Sequence, residues 1–100
     1  MHIVFVKKIL EDGSLCKKCR EVNQRLAQDG ISKLIDKISI ADLRDANSEG
    51  IILAKKHQIE RAPFFIVDDN EGFHVFDVYF KFRKYLLSKE LIDQTTPVKL

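Results

Sequence analysis

Cys16 and Cys19 are the only cysteines of the chain, three residues apart in the stretch SLCKKCRE. Thiols at that spacing can exchange disulfides with a substrate, supply two of the about four ligands of a closed zinc site, or serve as structural helix residues. The histidines that could complete a metal site, His2, His57 and His74, are far apart in sequence. If the pair opens a helix, Cys16 sits where free backbone N–H groups and the positive end of the helix dipole favour a thiolate. Lys17 and Lys18 add positive charge beside it. Cys19 lies one turn on, on the same face, within an apolar stripe with Val22 and Leu26. In disulfide exchange Cys16 would then be the nucleophile. Cys19 would be the resolving thiol that attacks the mixed disulfide at Cys16 and releases the reduced substrate.

The elements that must position this pair follow from pattern. His2–Val6 is nearly all apolar and predicts a buried strand. A polar loop with Gly13 leads to a helix over Lys17–Gln28, with Gly30 able to take the left-handed position past its end. Residues 34–41, LIDKISIA, predict a second strand. Ser48 is placed to cap a short helix, EGIILAKKH, with Ile51, Ile52 and Leu53 at its apolar face and Lys55, Lys56 and His57 in its last turn, where positive charge suits the dipole. PFFIV predicts a strand opened by Pro63, DDNEG a turn and FHVF the return strand of a hairpin. DVYFKFRKYLLSK predicts an amphipathic helix, with Val78, Phe82, Tyr85 and Leu86 on one face. The order is βαβαββα, with the first two strands parallel and the last two antiparallel. The expected fold is α/β: a four-stranded mixed sheet flanked by three helices.

A chain of 100 residues predicts one domain, over 1–88, with 89–100 as a frayed tail. Its 17 basic and 15 acidic residues are interleaved and sum to +2, which argues against a nucleic-acid partner. MHIVFV is too short for the apolar region of a signal peptide, and no run approaches ~18 apolar residues, so the expectation is cytoplasmic, without a membrane. Two cysteines are too few for a secreted disulfide scaffold, so a disulfide here would be transient. No Gly-rich phosphate loop, paired catalytic carboxylates or Ser/His/Asp grouping is present. The aromatics Phe73, Phe76, Tyr79, Phe80 and Phe82 exceed what one helix face can bury, which leaves part of them for a partner or dimer patch.

The CxxC after the first strand, the helix LAKKHQI and the X-Pro bond opening the third strand together resemble the thioredoxin-like superfamily. The small size is most similar to glutaredoxin, and the resemblance covers about residues 2–88. It implies a thioredoxin-like fold in which Pro63 is cis and lies beside the cysteines. The Ala62 backbone would then be offered to an extended substrate. Lys7 or Lys8 matches the lysine that meets the glutathione carboxylate, and Asp77 matches the aspartate of the Gly-Gly-x-x-Asp motif. Arg61 replaces the family's threonine and could attract an anionic substrate.

The sequence departs from the family in four further places. No glycine pair precedes Asp77, which can equally be a helix N-cap. Nine residues, KKILEDGSL, separate Val6 from Cys16. Leu15 and two lysines replace the usual aromatic or proline. No acid stands within HIVFV, which leaves Glu11, Asp12 or water to carry the Cys19 proton.

The resemblance implies a small thiol–disulfide oxidoreductase with no tightly bound cofactor and with glutathione as a co-substrate. It would act on protein disulfides or glutathione mixed disulfides, as a monomer or weak dimer, with no metal. Two other classes stay open: an interaction module with a redox-sensing CxxC, and a metal-bridged dimer in which two CxxC pairs complete one site.

Overall fold

The computed structural model describes residues 1–92. Its elements are β1 (His2–Ile9), α1 (Lys17–Gln28), a 3-10 turn (Ser32–Leu34), β2 (Lys37–Asp42), α2 (Glu49–Lys56), β3 (Phe64–Asp69), β4 (Gly72–Phe76) and α3 (Tyr79–Ser88). The strands lie in the order β2-β1-β3-β4, with β1 parallel to β2, antiparallel to β3, and β3 and β4 a hairpin. This is the expected small α/β architecture. Among the described residues no helix is long and apolar enough to cross a membrane.

Alternation along the strands builds two cores. Ile3, Phe5, Phe65 and Val67 face α1 and α3, where Val22, Leu26, Phe82 and Leu86 meet them. The Phe65 ring stacks between Phe5 at 4.9 Å and Phe82 at 3.9 Å, an arrangement that adds to plain burial. On the other face Val6, Phe64 and Ile66 lie under Ile51, Leu53 and Ala54 of α2. Phe64–Val67 is therefore buried on both sides, which explains its unbroken apolar run. Helix α2 comes down onto the backbone of β2 at Gly50, where a Cβ would stand 2.6 Å from Ala41 Cα. Only glycine allows that approach.

Several boundaries differ from expectation for local reasons. β1 continues three residues past Val6, because Lys7–Ile9 still pair with Ile40–Asp42. β2 starts at Lys37 rather than residue 34. Leu34 is drawn into the 3-10 turn, Leu34 and Ile35 pack on the core, and the Asp36 carboxylate accepts the Ile3 N–H at 2.7 Å. Ser48 stands at the N-cap of α2, but its hydroxyl accepts the Asp42 N–H at 2.9 Å instead of a helix N–H. Ile52, expected on the apolar face, is 52% exposed. Val78, not Asp77, is the N-cap of α3.

The helices α1, α2 and α3 end alike. Gly30, Gln58 and Glu90 take positive φ, and the next N–H in each case returns to a carbonyl five residues back, Leu26, Ala54 and Leu86. Of the expected tail, Ile92 packs against the core, and 93–100 lie outside the described residues. The expected aromatic surplus is Phe73 and Phe80, 61% and 67% exposed. Phe73 neighbours His57 and Lys56 on the α2 side while Phe80 rides on α3, so they form no single patch.

Candidate functional site

The end of β1 sets the position of the cysteines. Ile3 C=O accepts from Asp36 and Ile9 C=O from Leu43, so the odd-numbered backbone groups of β1 face β2 and the even-numbered ones face β3. The β1–β3 register pairs Val6 with Phe64. Two residues further on, the same register would set Lys8 against Ala62, but the ladder stops. Lys8 C=O instead accepts the Cys16 N–H at 3.0 Å, and Lys8 N–H points to Cys19 Sγ at 3.3 Å. The first turn of α1 has thus taken the edge of β1 that β3 would have used. Among the described residues nothing hydrogen-bonds to the Ala62 N–H or C=O, and the Ala62–Pro63 bond is cis.

The long spacer between β1 and Cys16 does not carry the pair away. Ile9 and Leu15 form an antiparallel bridge. Between them the chain turns back through Leu10 N–H to Ser14 C=O and Gly13 N–H to Leu10 C=O, with Gly13 at φ 87°. Residues 9–15 are a small hairpin that returns to Lys8. Asp12, one candidate for carrying the Cys19 proton, accepts both the Ser14 N–H and hydroxyl, which hold its carboxyl below the usual range.

Cys16 is the N-cap of α1, and its Sγ accepts the Cys19 N–H at 3.1 Å. The two sulfurs lie at disulfide distance, with Cα atoms 5.2 Å apart, inside the range that a disulfide spans. Cys19 is fully buried and Cys16 is 6% exposed, the order the sequence implied.

Two clefts flank this edge. One, of about 580 Å³, runs between α1 and α3 past Lys18, Val22, Arg61, Ala62 and Pro63. The other, of about 700 Å³, lies between α2 and the ends of β1 and β2, bordered by Lys8, Lys55, Gln58, Arg61 and Ala62. Arg61 and Ala62 belong to both. Arg61 Nε donates to Asp77 Oδ2 at 3.1 Å, so Asp77 serves an ion pair and not a helix cap.

Cys16, Cys19, Lys8, Arg61, Ala62, Pro63 and Asp77 therefore gather at one end of the sheet. Lys7 does not: it alternates onto the opposite face, with Nζ 5.6 Å from the Phe5 ring, and lines neither cleft. Sequence reasoning missed Gln58 and Lys55 in the second cleft and Arg25 and Arg83 in the first. Lys18, Val22 and Arg25 stand at i, i+4 and i+7, a shared-face signal that a search for apolar stripes alone passes over.

At the opposite end of the sheet, donor atoms of Asp69, Glu71 and His74 lie within 4.8 Å of one another. The Tyr85 hydroxyl donates to Asp69 and is the main cause holding that carboxyl down to about 2. Burial and then Asp69 push Tyr85 up to about 12. His74 Nε2 approaches Asp69 Oδ2 to 3.0 Å, off the line of a hydrogen bond. Neither cysteine belongs to a metal-capable cluster among the described residues.

No protein-family model, curated protein or solved structure matches the chain.

Proposed function

We propose that this chain is a small thiol–disulfide oxidoreductase of thioredoxin-like fold, closest in size to glutaredoxin. It would reduce or exchange protein disulfides or glutathione mixed disulfides. The observation that carries this is the shared edge of β1, where Lys8 binds both cysteines by its backbone and leaves the neighbouring Ala62 backbone unpaired. Cysteines serving only to hold a helix to a strand would not require a free strand segment beside them.

In the reduced protein the Cys16 thiolate attacks one sulfur of a substrate disulfide. That S–S bond breaks, and the departing thiolate takes a proton from water. Cys19, deprotonated to water, then attacks Cys16 Sγ and releases the second substrate thiol. Two electrons pass to the substrate, and the Cys16–Cys19 disulfide remains until two thiols of a reductant such as glutathione restore it. Of the two thiols Cys16 is the less buried, at 6% against 0%, so a substrate disulfide meets it first. The Lys8 N–H aimed at Cys19 Sγ supports the resolving thiolate where no buried acid does. A substrate strand pairs with Ala62, and Lys8 in the second cleft faces an anionic group such as a glutathione carboxylate. A reducing compartment such as the cytoplasm suits this cycle.

The test is equilibration of the pair against graded glutathione buffers, read by alkylation and mass spectrometry. A two-electron transition between ~−200 and −300 mV, with a mixed disulfide trapped on Cys16 in Cys19→Ser, is expected. A pair that stays reduced throughout, or that purifies with metal, overturns the assignment.

A further inference from the structure

Resting on that oxidoreductase assignment, we infer that the cleft between α1 and α3 selects protein disulfides whose flanking segment is acidic. The cleft carries Lys18, Arg25, Arg61 and Arg83 against Glu21 and Asp77. Asp29, beside Arg25 and Arg83, adds a third carboxylate, so four cations face three anions around this cleft. The cleft on the α2 side is also cationic, with Lys8, Lys55 and Arg61 against Glu60.

The cations are not fully compensated by their neighbours. Arg25 and Arg83 share the single carboxylate of Asp29, at 4.0 and 3.5 Å. Arg61 has Asp77, but its side chain is 70% exposed and can turn toward a ligand. Lys18 has no ion pair among the described residues. An exposed pair such as Arg61–Asp77 contributes little to stability.

The occupant follows from what borders the cations. Ala62 and Pro63 form one wall, so a segment that pairs with the unpaired Ala62 backbone continues along the cleft as extended chain. Val22, Val78 and Phe80 give it an apolar bed, with Phe80 67% exposed at the rim. A segment carrying carboxylates beside an apolar side chain satisfies both features. A basic segment would meet four cations, and like-charge juxtaposition is a strong discriminator between partners.

The experiment uses the reduced full chain and three peptide disulfides identical except for Glu, Gln or Lys on both sides of the cysteine. Formation of the Cys16 mixed disulfide is followed by rapid acid quench and mass spectrometry. Each rate is divided by that of the same peptide with a small neutral thiol, because flanking lysines by themselves make a disulfide more reactive. The normalised Glu rate is expected to exceed the Lys rate by roughly tenfold, with Gln between, and to fall toward equality in about 0.5 M NaCl. The exposed substitution Lys18→Glu, alone and with Arg83→Gln, should reduce the preference severalfold. Equal normalised rates overturn the inference and leave the oxidoreductase assignment standing. Failure of every peptide to react at Cys16 overturns that assignment itself. An acidic preference untouched by salt and by both variants overturns the choice of this cleft.

Discussion

At the hairpin end of the sheet Asp69, Tyr85 and His74 turn their polar atoms toward one another. At the Lys8 end polar groups are turned away from their natural partners: β3 loses its ladder to β1, Ala62 is left unpaired among the described residues, and two clefts meet at Arg61 and Ala62. Both ends hold residues able to do chemistry, and the hairpin even groups three metal-capable side chains. What separates them is where the free valences point. The Tyr85–Asp69 hydrogen bond anchors α3 to the sheet at the hairpin end, whereas the Lys8 end leaves the Ala62 backbone and the Lys18 cation without partners among the described residues.

The sharpest way to break this contrast is to remove one group from each end. Cys16→Ser should reduce disulfide exchange to the uncatalysed background, measured by reduction of a peptide disulfide, while Asp69→Asn should leave the rate unchanged. Comparable losses in both would erase the distinction. A second large effect concerns the wall of the second cleft. In Gly50→Ala the new methyl meets the β2 backbone, which cannot move aside as a side chain could. α2 must lift, at about 1–3 kcal/mol for overpacking. A lowered urea midpoint with slower exchange is expected, and an unchanged midpoint would show that α2 is not held there.

The elements were readable from the sequence because most of the chain obeys a single period. α1 falls at Lys17–Gln28 as expected, since its stripe of Cys19, Val22 and Leu26 lies on one clean face. β3 was equally plain, its apolar run being buried on both sides. Misreadings cluster where one residue answers to two demands. Residues 34–36 look like strand, but Leu34 and Ile35 turn inward to the core and Asp36 binds Ile3. Asp77 looks like a helix cap, and Arg61, sixteen residues away, claims it. The cysteines and Pro63 stood out by type and order. The hairpin of residues 9–15, which brings Lys8 to both thiols despite the long spacer, depends on a backbone bridge that no residue pattern announces. Nor could sequence separate Lys7 from Lys8 without knowing that β1 runs on past Val6.

The hairpin end makes its own prediction about acid. Asp69 is held at about 2 against an ordinary 3.8, first by the Tyr85 hydroxyl. A carboxyl lowered on folding contributes stability above its unfolded value, and that contribution is lost as pH falls through the folded one. The urea midpoint of the native protein should therefore exceed that of Asp69→Asn by a constant margin above pH 5. The margin should shrink from about pH 4 and vanish only below pH 2. A margin independent of pH would mean that Asp69 acts by shape alone.

The smallest expected effect lies in the helix caps. Gly30 and Gln58 hold the same left-handed position past α1 and α2, at φ 72° and 57°, and each is followed by the same return hydrogen bond. Glycine is the relaxed residue there, and a side chain costs something. At Gly30 an added Cβ would touch nothing within 4 Å, so Gly30→Ala isolates that backbone cost, partly offset by a stiffer unfolded chain, and should lower stability by about 1 kcal/mol. Gln58→Gly should raise it by about 0.5 kcal/mol, a smaller change because glycine also loosens the unfolded chain. Gln58 borders the cleft beside Lys8 and Ala62. If its side chain is retained for contact with a substrate, the stabilised variant should exchange more slowly, with a raised KM for glutathione disulfide. A Gln58→Gly protein that is more stable and equally active would place Gln58 with the self-satisfied structure of the hairpin end, and would confine the working surface to Lys8, Arg61 and the Ala62 backbone.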